Sequence, residues 1–280
     1  MPPGGPWTTV VEFVRERTGT PAEALEGRVR AGEVILGDGT VVNEGTAYRG
    51  GQVVFLYRAL EPEAEVPFDL RILHQDEHIV VVDKPHFLAT MPRGRHVQQT
   101  VVTRLRQRHG LTAVVPAHRL DRLTAGVMLL VIRPELRAAY QTLFAERRVR
   151  KTYVAVARRL PSWTGPMTVR NRIVKHRGQL QAQVVPGEVN ACTTIEQLDC
   201  DADLCTYRLT PHTGRTHQLR VHCAELGIPI VGDPLYPEVR EVDPGDFSHP
   251  LQLLSQRLEF DDPLSGEHRS FGSERTLHRA

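Results

Sequence analysis

Residues 118–130 read HRLDRLTAGVMLL, in which a charged loop runs directly into an apolar segment. The loop places Asp121 between two arginines, Arg119 and Arg122. The apolar run that follows is typical of a short strand buried on both faces. An acid at the start of such a strand is either part of a surface turn with ion pairs or a functional carboxylate. Taken alone, the residues favour the surface turn, because exposed ion pairs of this kind are common.

The segments around this stretch alternate between strand and helix patterns. The run 151–157, KTYVAVA, has a spacing of two, which puts Tyr153 on the face opposite Val154. Pro134 stands at the start of a segment whose apolar residues recur at helical spacing. The order is irregular and shows no repeat, so we predict an α+β fold. The predicted strands are 79–82, 126–132 and 151–157, and the predicted helices begin at 134 and 216.

The first 58 residues have the pattern of a separate small unit. A helical stretch, 10–17, precedes turn-rich strand text that contains GDGT at 37–40, a turn signal between β-branched runs. Residues 61–67, EPEAEVP, are acidic and flanked by proline, which is typical of a linker. We therefore expect a small unit at 1–60, a linker at 61–67 and a large domain at 68–280.

The composition is ordinary for a globular protein, with 40% hydrophobic and 24% charged residues and a net charge of only +2. The 35 basic residues are nearly all arginines, and only Lys84, Lys151 and Lys175 are lysines. Basic residues cluster at 104–108, 147–151 and 170–177. Two interpretations fit these clusters: solvated faces of helices, or a local groove that binds nucleic acid.

Location and redox state follow from default expectations. The longest apolar run, 127–132, is far too short to span a bilayer, so no membrane association is expected. The N-terminus lacks the pattern of a signal peptide, so we expect a cytoplasmic protein. The four cysteines form no CxxC pair, and we expect them to be reduced thiols.

Four stretches together resemble the RluA-type RNA pseudouridine synthases. HRLDRLTAG is similar to the catalytic loop of that family, KTYVA to its tyrosine motif, and TGRTHQLRVH with GIPIVGDPLY to its C-terminal motif. VVDKPHFLATMP is similar to its early strand, and the resemblance covers residues 68–262. Two positions depart from the family pattern, Ala125 in place of serine and Phe87 in place of glycine. The first unit resembles, without the usual basic helix, the S4 RNA-binding domain.

This resemblance implies a mixed, largely antiparallel central sheet with flanking helices, and isomerisation of uridine to pseudouridine within RNA. Such a reaction needs no cofactor, and the sequence contains no nucleotide-binding glycine loop. Asp121 carries over as the carboxylate that attacks the sugar or removes a proton from it. Arg220 carries over as its charge partner, and Tyr153 as the ring that stacks on uracil and accepts the C5 proton.

The resemblance also implies residues that bind the substrate. Arg119 matches the position that enters the space left by the flipped base, and Leu219 packs against that base. Arg122, Arg215 and His217 are expected beside the acid or on phosphates. We expect a monomer that acts on ribosomal RNA, with the S4-like unit favouring the large subunit, and transfer RNA as the second target class.

Two other functions fit parts of the sequence. A non-catalytic RNA-binding protein could retain the fold, although it has no use for an acid in a groove that binds an anion. A metal-dependent hydrolase is suggested by His212, His217 and His222. Residues five apart on a helix lie about 140° from a common face, so these histidines do not converge and no metal is expected.

Overall fold

A ten-stranded sheet forms the centre of the larger of two units, Met1–Glu61 and Pro62–Ala280. The structure is a computed structural model that describes residues 1–57, 62–94 and 96–279. Residues 58–60 of the predicted small unit and residue 61 of the predicted linker lie outside the described residues. Glu63 of that linker accepts hydrogen bonds from the backbone N–H groups of Gln98 (2.8 Å) and Gln99 (2.9 Å), so this segment packs on the larger unit.

The small unit contains two helices and a two-stranded antiparallel sheet. The predicted helical stretch at 10–17 is confirmed. It begins after Thr9, which forms a capping box with Glu12, and ends at Gly19, whose φ is 65°. The resemblance of this unit to an S4 domain stays a prediction. Its elements are α1 (Val10–Thr18), α2 (Ala22–Arg30), β1 (Val34–Leu36) and β2 (Val54–Leu56).

The sheet of the larger unit consists of β3 (Arg71–Gln75), β4 (Ile79–Lys84), β5 (Val115–Pro116), β6 (Ala125–Val131), β7 (Arg150–Arg158), β8 (Met167–Asn171), β11 (Ala191–Cys200), β12 (Leu204–Pro211), β13 (Leu253–Asp261) and β14 (His268–Gly272). The strand order is β3-β4-β6-β13-β7-β12-β11-β8, with β5 paired to β6 and β14 to β13. In the described part of the chain, β13 and β6 are its one parallel pair, which confirms a mixed, largely antiparallel sheet. A separate antiparallel pair consists of β9 (Ile173–Val174) and β10 (Gln183–Val184).

The central strands β4 and β6 are buried along their whole length. Alternate residues of each strand enter two different apolar clusters, one on either face of the sheet. Burial of both faces explains why these strands read as continuous apolar runs rather than as an alternating pattern. The three predicted strands are confirmed, with β4 two residues longer than predicted.

Gly126 permits the parallel pairing of β6 with β13. Its φ is +111°, and a Cβ atom at this position would lie 2.2 Å from the carbonyl oxygen of Ser255. Both the backbone angle and the space therefore require glycine. This pairing fixes the end of β6 that follows the Asp121 loop.

In the described residues of the larger unit, three α-helices and a 3-10 turn accompany the sheet: α3 (Val101–His109), the turn Pro134–Leu136, α4 (Arg137–Ala145) and α5 (Gln218–Glu225). The helix predicted from residue 134 is thus a 3-10 turn that leads into α4. The helix predicted from residue 216 begins two residues later, because His217 adopts a left-handed conformation with φ 59°. Among the described residues, no helix has both the length and the apolar character needed to cross a bilayer.

Two expectations about side chains need correction. Cys200 and Cys205 lie opposite each other in β11 and β12 and form a disulfide, so the expectation of four reduced thiols is wrong for this pair. Arg104, expected on a solvated face or in a groove, is 4% exposed. Its guanidinium donates to the carbonyl oxygens of Phe68 and Val66, both at 2.6 Å. This arginine therefore stabilises the fold and is not available to nucleic acid.

Candidate active site

The loop between β5 and β6 presents Asp121 at the edge of a pocket. A turn follows the acid, in which the N–H of Thr124 donates to the carbonyl oxygen of Asp121 (3.1 Å). The residue before it, Leu120, is held at both backbone groups by the hydroxyl of Thr90, which donates to its carbonyl oxygen (2.8 Å) and accepts from its N–H (3.2 Å). The Asp121 side chain remains 23% exposed. The loop is thus fixed in its backbone while its carboxylate is accessible.

Lys84, at the end of β4, supports the same loop from inside the protein. The side chain is fully buried, and its Nζ donates to the carbonyl oxygens of Pro85 (3.0 Å), Leu88 (2.8 Å) and Arg122 (3.1 Å). Burial lowers the pKa of Lys84 well below its usual range, and the negative charge of Asp121 opposes that shift. The lysine of the early-strand motif therefore connects that strand to the residue directly after Asp121.

Arg220, on α5, is shared between two acids. Its guanidinium forms a bidentate pair with Asp233, with Nε–Oδ2 and NH2–Oδ1 distances of 2.7 and 2.6 Å. Its NH1 lies 3.7 Å from Oδ2 of Asp121. Burial alone would lower the pKa of Arg220, but the hydrogen bonds and charge of Asp233, with the charge of Asp121, raise it above its ordinary value. Asp233 thus fixes the cation that faces Asp121.

His217 lies on another side of the acid. Its Nε2 is 3.9 Å from Oδ2 of Asp121, and its Nδ1 is 3.0 Å from the hydroxyl of Tyr236. That hydroxyl also accepts the N–H of Ala182 (2.6 Å). Burial lowers the pKa of His217, against the opposing charge of Asp121. The Tyr236 hydroxyl has one proton to donate, and the carbonyl oxygen of Ala182 accepts from it at 3.1 Å.

Tyr153 lies on β7 opposite Ser255 of β13 and is 8% exposed. The side chain of Tyr153 belongs to an apolar cluster that includes Ala155 and Leu219. Apolar side chains therefore cover this face of the strand as well as the face of Val154. Tyr153 thus lies on the face opposite Val154, as the spacing predicts, but its own face is apolar as well. Burial raises the pKa of Tyr153 to about 12, although a hydrogen bond with Ser255 lowers it, so the phenol is protonated at neutral pH.

These residues surround an open pocket of about 1210 Å³. It brings together seven of the eight site residues predicted from the sequence, namely Arg119, Asp121, Tyr153, Arg215, His217, Leu219 and Arg220. The eighth, Arg122, does not line it, since its guanidinium lies 5.9 Å from the ring centre of Phe87. The lining is also basic and includes Arg147, Arg148, Arg150 and Lys151.

The three histidines spaced by five residues have separate partners. His212 lies 2.9 Å from the hydroxyl of Thr194, and His222 lies 3.0 Å from the side-chain oxygen of Asn171, whereas His217 faces the pocket. Within the described ranges, no group of three or more His, Cys, Asp or Glu side chains is arranged to hold a metal ion.

The two departures from the family pattern have local explanations. Ala125 is fully buried in an apolar cluster with Val154 and Leu254, where a serine hydroxyl would need a partner. Phe87 has a φ of 64°, a left-handed conformation that favours the glycine found at this position in the family. Its ring packs against Phe247, with ring centres 5.2 Å apart. This contact fixes the Phe247 segment, to which the sequence assigned no role.

The family model for RNA pseudouridylate synthase matches residues 78–225, which contain Asp121, Tyr153 and Arg220. The chain belongs to this family. RNA pseudouridine synthases are isomerases, which is the enzyme class that the motifs predict.

The RluA-type relatives agree with that assignment. Ribosomal large subunit pseudouridine synthase D of Xanthomonas campestris is 31% identical over 273 residues, which cover 91% of this chain and 80% of that protein. The dual-specificity RNA pseudouridine synthase RluA of Haemophilus ducreyi is 33% identical over 234 residues, which cover 75% of this chain and 95% of that protein. Human pseudouridylate synthase RPUSD2 is 31% identical over 231 residues, and the chain spans only 42% of its length.

A solved structure supports the fold. Human RNA Pseudouridylate Synthase Domain Containing 4 superposes with a TM-score of 0.56 at 27% sequence identity, covering 75% of this chain and 89% of the human one. The α+β fold expected of this RNA pseudouridine synthase is therefore confirmed.

Sequence reasoning missed three charged residues of the site region. Asp233 holds Arg220, Lys84 holds the Asp121 loop, and Lys151 lines the pocket. Asp233 and Lys84 stand within the quoted motifs GDPLY and VVDKP, so the signal was present in the sequence. Their roles depend on which distant residue each side chain meets, and a motif does not reveal that.

Proposed function

We propose that this enzyme isomerises uridine to pseudouridine in ribosomal RNA of the large subunit, with Asp121 as its catalytic carboxylate. The observation that carries the proposal is the position of the Asp121 carboxylate, 3.7 Å from the buried Arg220 in a pocket that Tyr153 also lines. In the reaction the N1–C1′ bond breaks, the uracil turns, and C5 bonds to C1′. The C5 hydrogen leaves as a proton while N1 gains one, so the reaction needs no oxidant and no water.

Asp121 is suited to act on the sugar because it is both accessible and close to the positive charge of Arg220, whose NH1 lies 3.7 Å from its carboxylate. The His217 imidazole, whose pKa is lowered by burial, lies 3.9 Å from the same carboxylate. A nearby cation stabilises the ionised carboxylate. The anion then either attacks C1′ or removes a proton from the sugar, and both routes need the same charge at the same place.

Tyr153 offers its ring to the flipped uracil. Since burial keeps its phenol protonated, the hydroxyl takes the C5 proton only by passing its own proton onward. That proton leaves to water in the open pocket, because the Ser255 hydroxyl beside Tyr153 already donates to the carbonyl oxygen of Val127 (3.2 Å) and that oxygen cannot take up a proton. Tyr153 thus combines stacking with a proton relay.

The remaining residues act on the RNA around the target base. The exposed Arg119, two positions before Asp121, enters the space that the flipped base leaves, and Leu219 packs against that base in the pocket. Arg215 is exposed at the pocket edge and contacts a phosphate. Arg122 acts indirectly, through the backbone of the Asp121 loop.

The large-subunit target is supported by the relative from Xanthomonas campestris, which is named as a ribosomal large subunit pseudouridine synthase and aligns with 91% of this chain. Transfer RNA is the second class to test.

The experiment measures tritium release from RNA that carries 5-tritiated uridine, because forming the C5–C1′ bond expels the C5 hydrogen. Unmodified large-subunit ribosomal RNA and transfer RNA transcripts serve as separate substrates. Wild type is compared with Asp121→Asn, which preserves shape and removes charge. Asp203→Asn is the matched control, since Asp203 is exposed and does not line the pocket.

We expect release by wild type and by Asp203→Asn, and none by Asp121→Asn. Faster release from the ribosomal RNA supports the proposed target, and faster release from transfer RNA contradicts it. If Asp121→Asn stays within tenfold of wild type, Asp121 is not the catalytic carboxylate. RNA binding by wild type without any release would instead favour a non-catalytic RNA-binding protein.

A further inference from the structure

Lys151 is a cation of the pocket wall for which the described residues supply no ion-pair partner. It lies two positions before Tyr153 on β7, and the alternation of side chains along a strand places both on the same face. Both line the pocket. The Lys151 side chain is half-buried, and among residues 1–57, 62–94 and 96–279 its amine has no hydrogen-bond or ion-pair partner. Burial lowers the pKa of Lys151, and no nearby acid raises it.

Two of the neighbouring arginines differ in this respect. Arg148 lies 3.5 Å from Glu146, and Arg150 lies 3.9 Å from Glu259. Both are more exposed than Lys151, so water also solvates their charges. Lys151 has neither an acid nor full solvation, and a cation in this position is stabilised when an anion enters the pocket.

The space beside the Lys151 amine is left open by Gly214. A Cβ atom at position 214 would lie 3.8 Å from the lysine Nζ, in contact with it. Because glycine stands there, a ligand reaches the amine between β7 and the 213–216 turn. Arg215 of the same turn is exposed and lines the pocket, so a second cation lies on this side of the opening.

The position also fits the dimensions of a nucleotide. Residues two apart on a strand are separated by about 6.6 Å. This separation is comparable to that between the base of a nucleotide and its phosphate. A uracil that stacks on Tyr153 therefore brings a backbone phosphate within reach of Lys151.

We propose that Lys151, beside the 213–216 turn, is a binding site for an RNA backbone phosphate at the nucleotide whose base stacks on Tyr153. The inference rests on the proposed function for the nature of the ligand. It assigns to Lys151 a substrate contact separate from the chemistry of Asp121. The contact aligns the flipped nucleotide, since it fixes the phosphate while Tyr153 fixes the base.

The test is the salt dependence of RNA binding, which requires no turnover. A fluorescein-labelled oligouridylate is titrated with wild type, Lys151→Gln, Lys151→Arg and Arg133→Gln at several salt concentrations. Arg133 is the matched control, because it is paired with Glu77 at 3.3 Å and does not line the pocket. For single-stranded RNA, each phosphate contact contributes about 0.7 to the slope of log K against log salt.

We expect Lys151→Gln to reduce that slope by about 0.7, which corresponds to a Kd about fivefold higher at 0.1 M salt. Lys151→Arg keeps the charge and should keep the wild-type slope, which also shows that the position tolerates replacement. Arg133→Gln should match wild type. An unchanged slope for Lys151→Gln, or an equal loss for Arg133→Gln, overturns the phosphate site.

This outcome is separable from that of the proposed function. If wild type releases tritium and Lys151→Gln keeps the full slope, the isomerase activity stands and the phosphate site is refuted. If wild type releases no tritium and the slope still falls by about 0.7 in Lys151→Gln, the contact with RNA phosphate stands and the activity is refuted.

Discussion

Replacing Asp233 with asparagine should strongly destabilise the larger unit of this synthase. The side chains of Arg220 and Asp233 are 3% and 0% exposed and form a bidentate pair at 2.6 and 2.7 Å. Asparagine preserves the shape of the side chain and removes the charge that compensates the buried guanidinium. Breaking a buried pair by removing one partner costs about 3–5 kcal/mol. For a unit of this size, that loss lowers the melting temperature by roughly 6–20 °C.

Denaturant unfolding at pH 7 measures this loss. Glu196→Gln is the matched control, because Glu196 pairs with Arg208 at the same distance, 2.7 Å, but both side chains are more than 40% exposed. Removing that exposed pair should change the free energy of unfolding by less than about 1 kcal/mol. If Asp233→Asn costs no more than Glu196→Gln, the burial argument for the Arg220–Asp233 pair is refuted.

Asp233 should also affect catalysis, as a positioning residue that acts through Arg220. Without its bidentate partner, the guanidinium no longer has a fixed position beside Asp121. A misplacement of about 1 Å near the reacting atoms can reduce the rate on the order of 100-fold. Well below its melting temperature, Asp233→Asn should therefore lower kcat in the tritium-release assay and leave KM almost unchanged. A higher KM with an unchanged kcat would mean that Asp233 serves RNA binding instead.

Three further changes test other parts of the structure. Tyr153→Phe keeps the stacking ring and removes the relay hydroxyl, so kcat should fall on the order of 100-fold while RNA affinity stays within about threefold. His118→Gln should reduce the loss of stability between pH 7 and pH 4.5 by about 2–3 kcal/mol, measured by denaturant unfolding at both pH values. Burial holds the pKa of His118 at about 3 instead of 6.5, so only the unfolded chain takes up a proton in this window, and the free energy of unfolding falls with pH. Gly126→Ala should cost more than about 3 kcal/mol of unfolding free energy, since its Cβ would overlap the backbone of Ser255.

Each of these changes has a control or a contradicting outcome. Loss of RNA affinity in Tyr153→Phe would make that residue an anchor for RNA instead of a proton relay. For His118→Gln the control is His176→Gln, because His176 is exposed and its replacement should leave the pH dependence as in wild type. For Gly126→Ala the control is Gly178→Ala, where φ is also positive but no atom lies within 4 Å of the added Cβ. Equal costs at the two glycines would show that backbone strain alone explains the effect.

Local pattern predicted the elements that carry the site. Apolar runs identified β6 and the first four residues of β4, because strands buried on both faces favour apolar side chains on both. The buried Asp83 and Lys84 that end β4 interrupt this pattern, so the prediction stopped two residues short. The spacing of two in KTYVAVA separated Tyr153 from Val154 correctly, although it did not reveal that both faces are covered. The start of α5 was two residues off, because the left-handed conformation of His217 leaves no signal at a non-glycine residue.

By itself, the sequence determined the family, the α+β class and the three segments that supply Asp121, Tyr153 and Arg220. It did so because these depend on residue type and spacing within short stretches of chain. Only the tertiary structure decided which charges meet. It pairs Arg220 with Asp233, and within the described part of the chain it gives Lys151 no acid. A buried cation and an exposed one look the same in a sequence, since their difference is the loss of water, which depends on segments that pack together from distant parts of the chain.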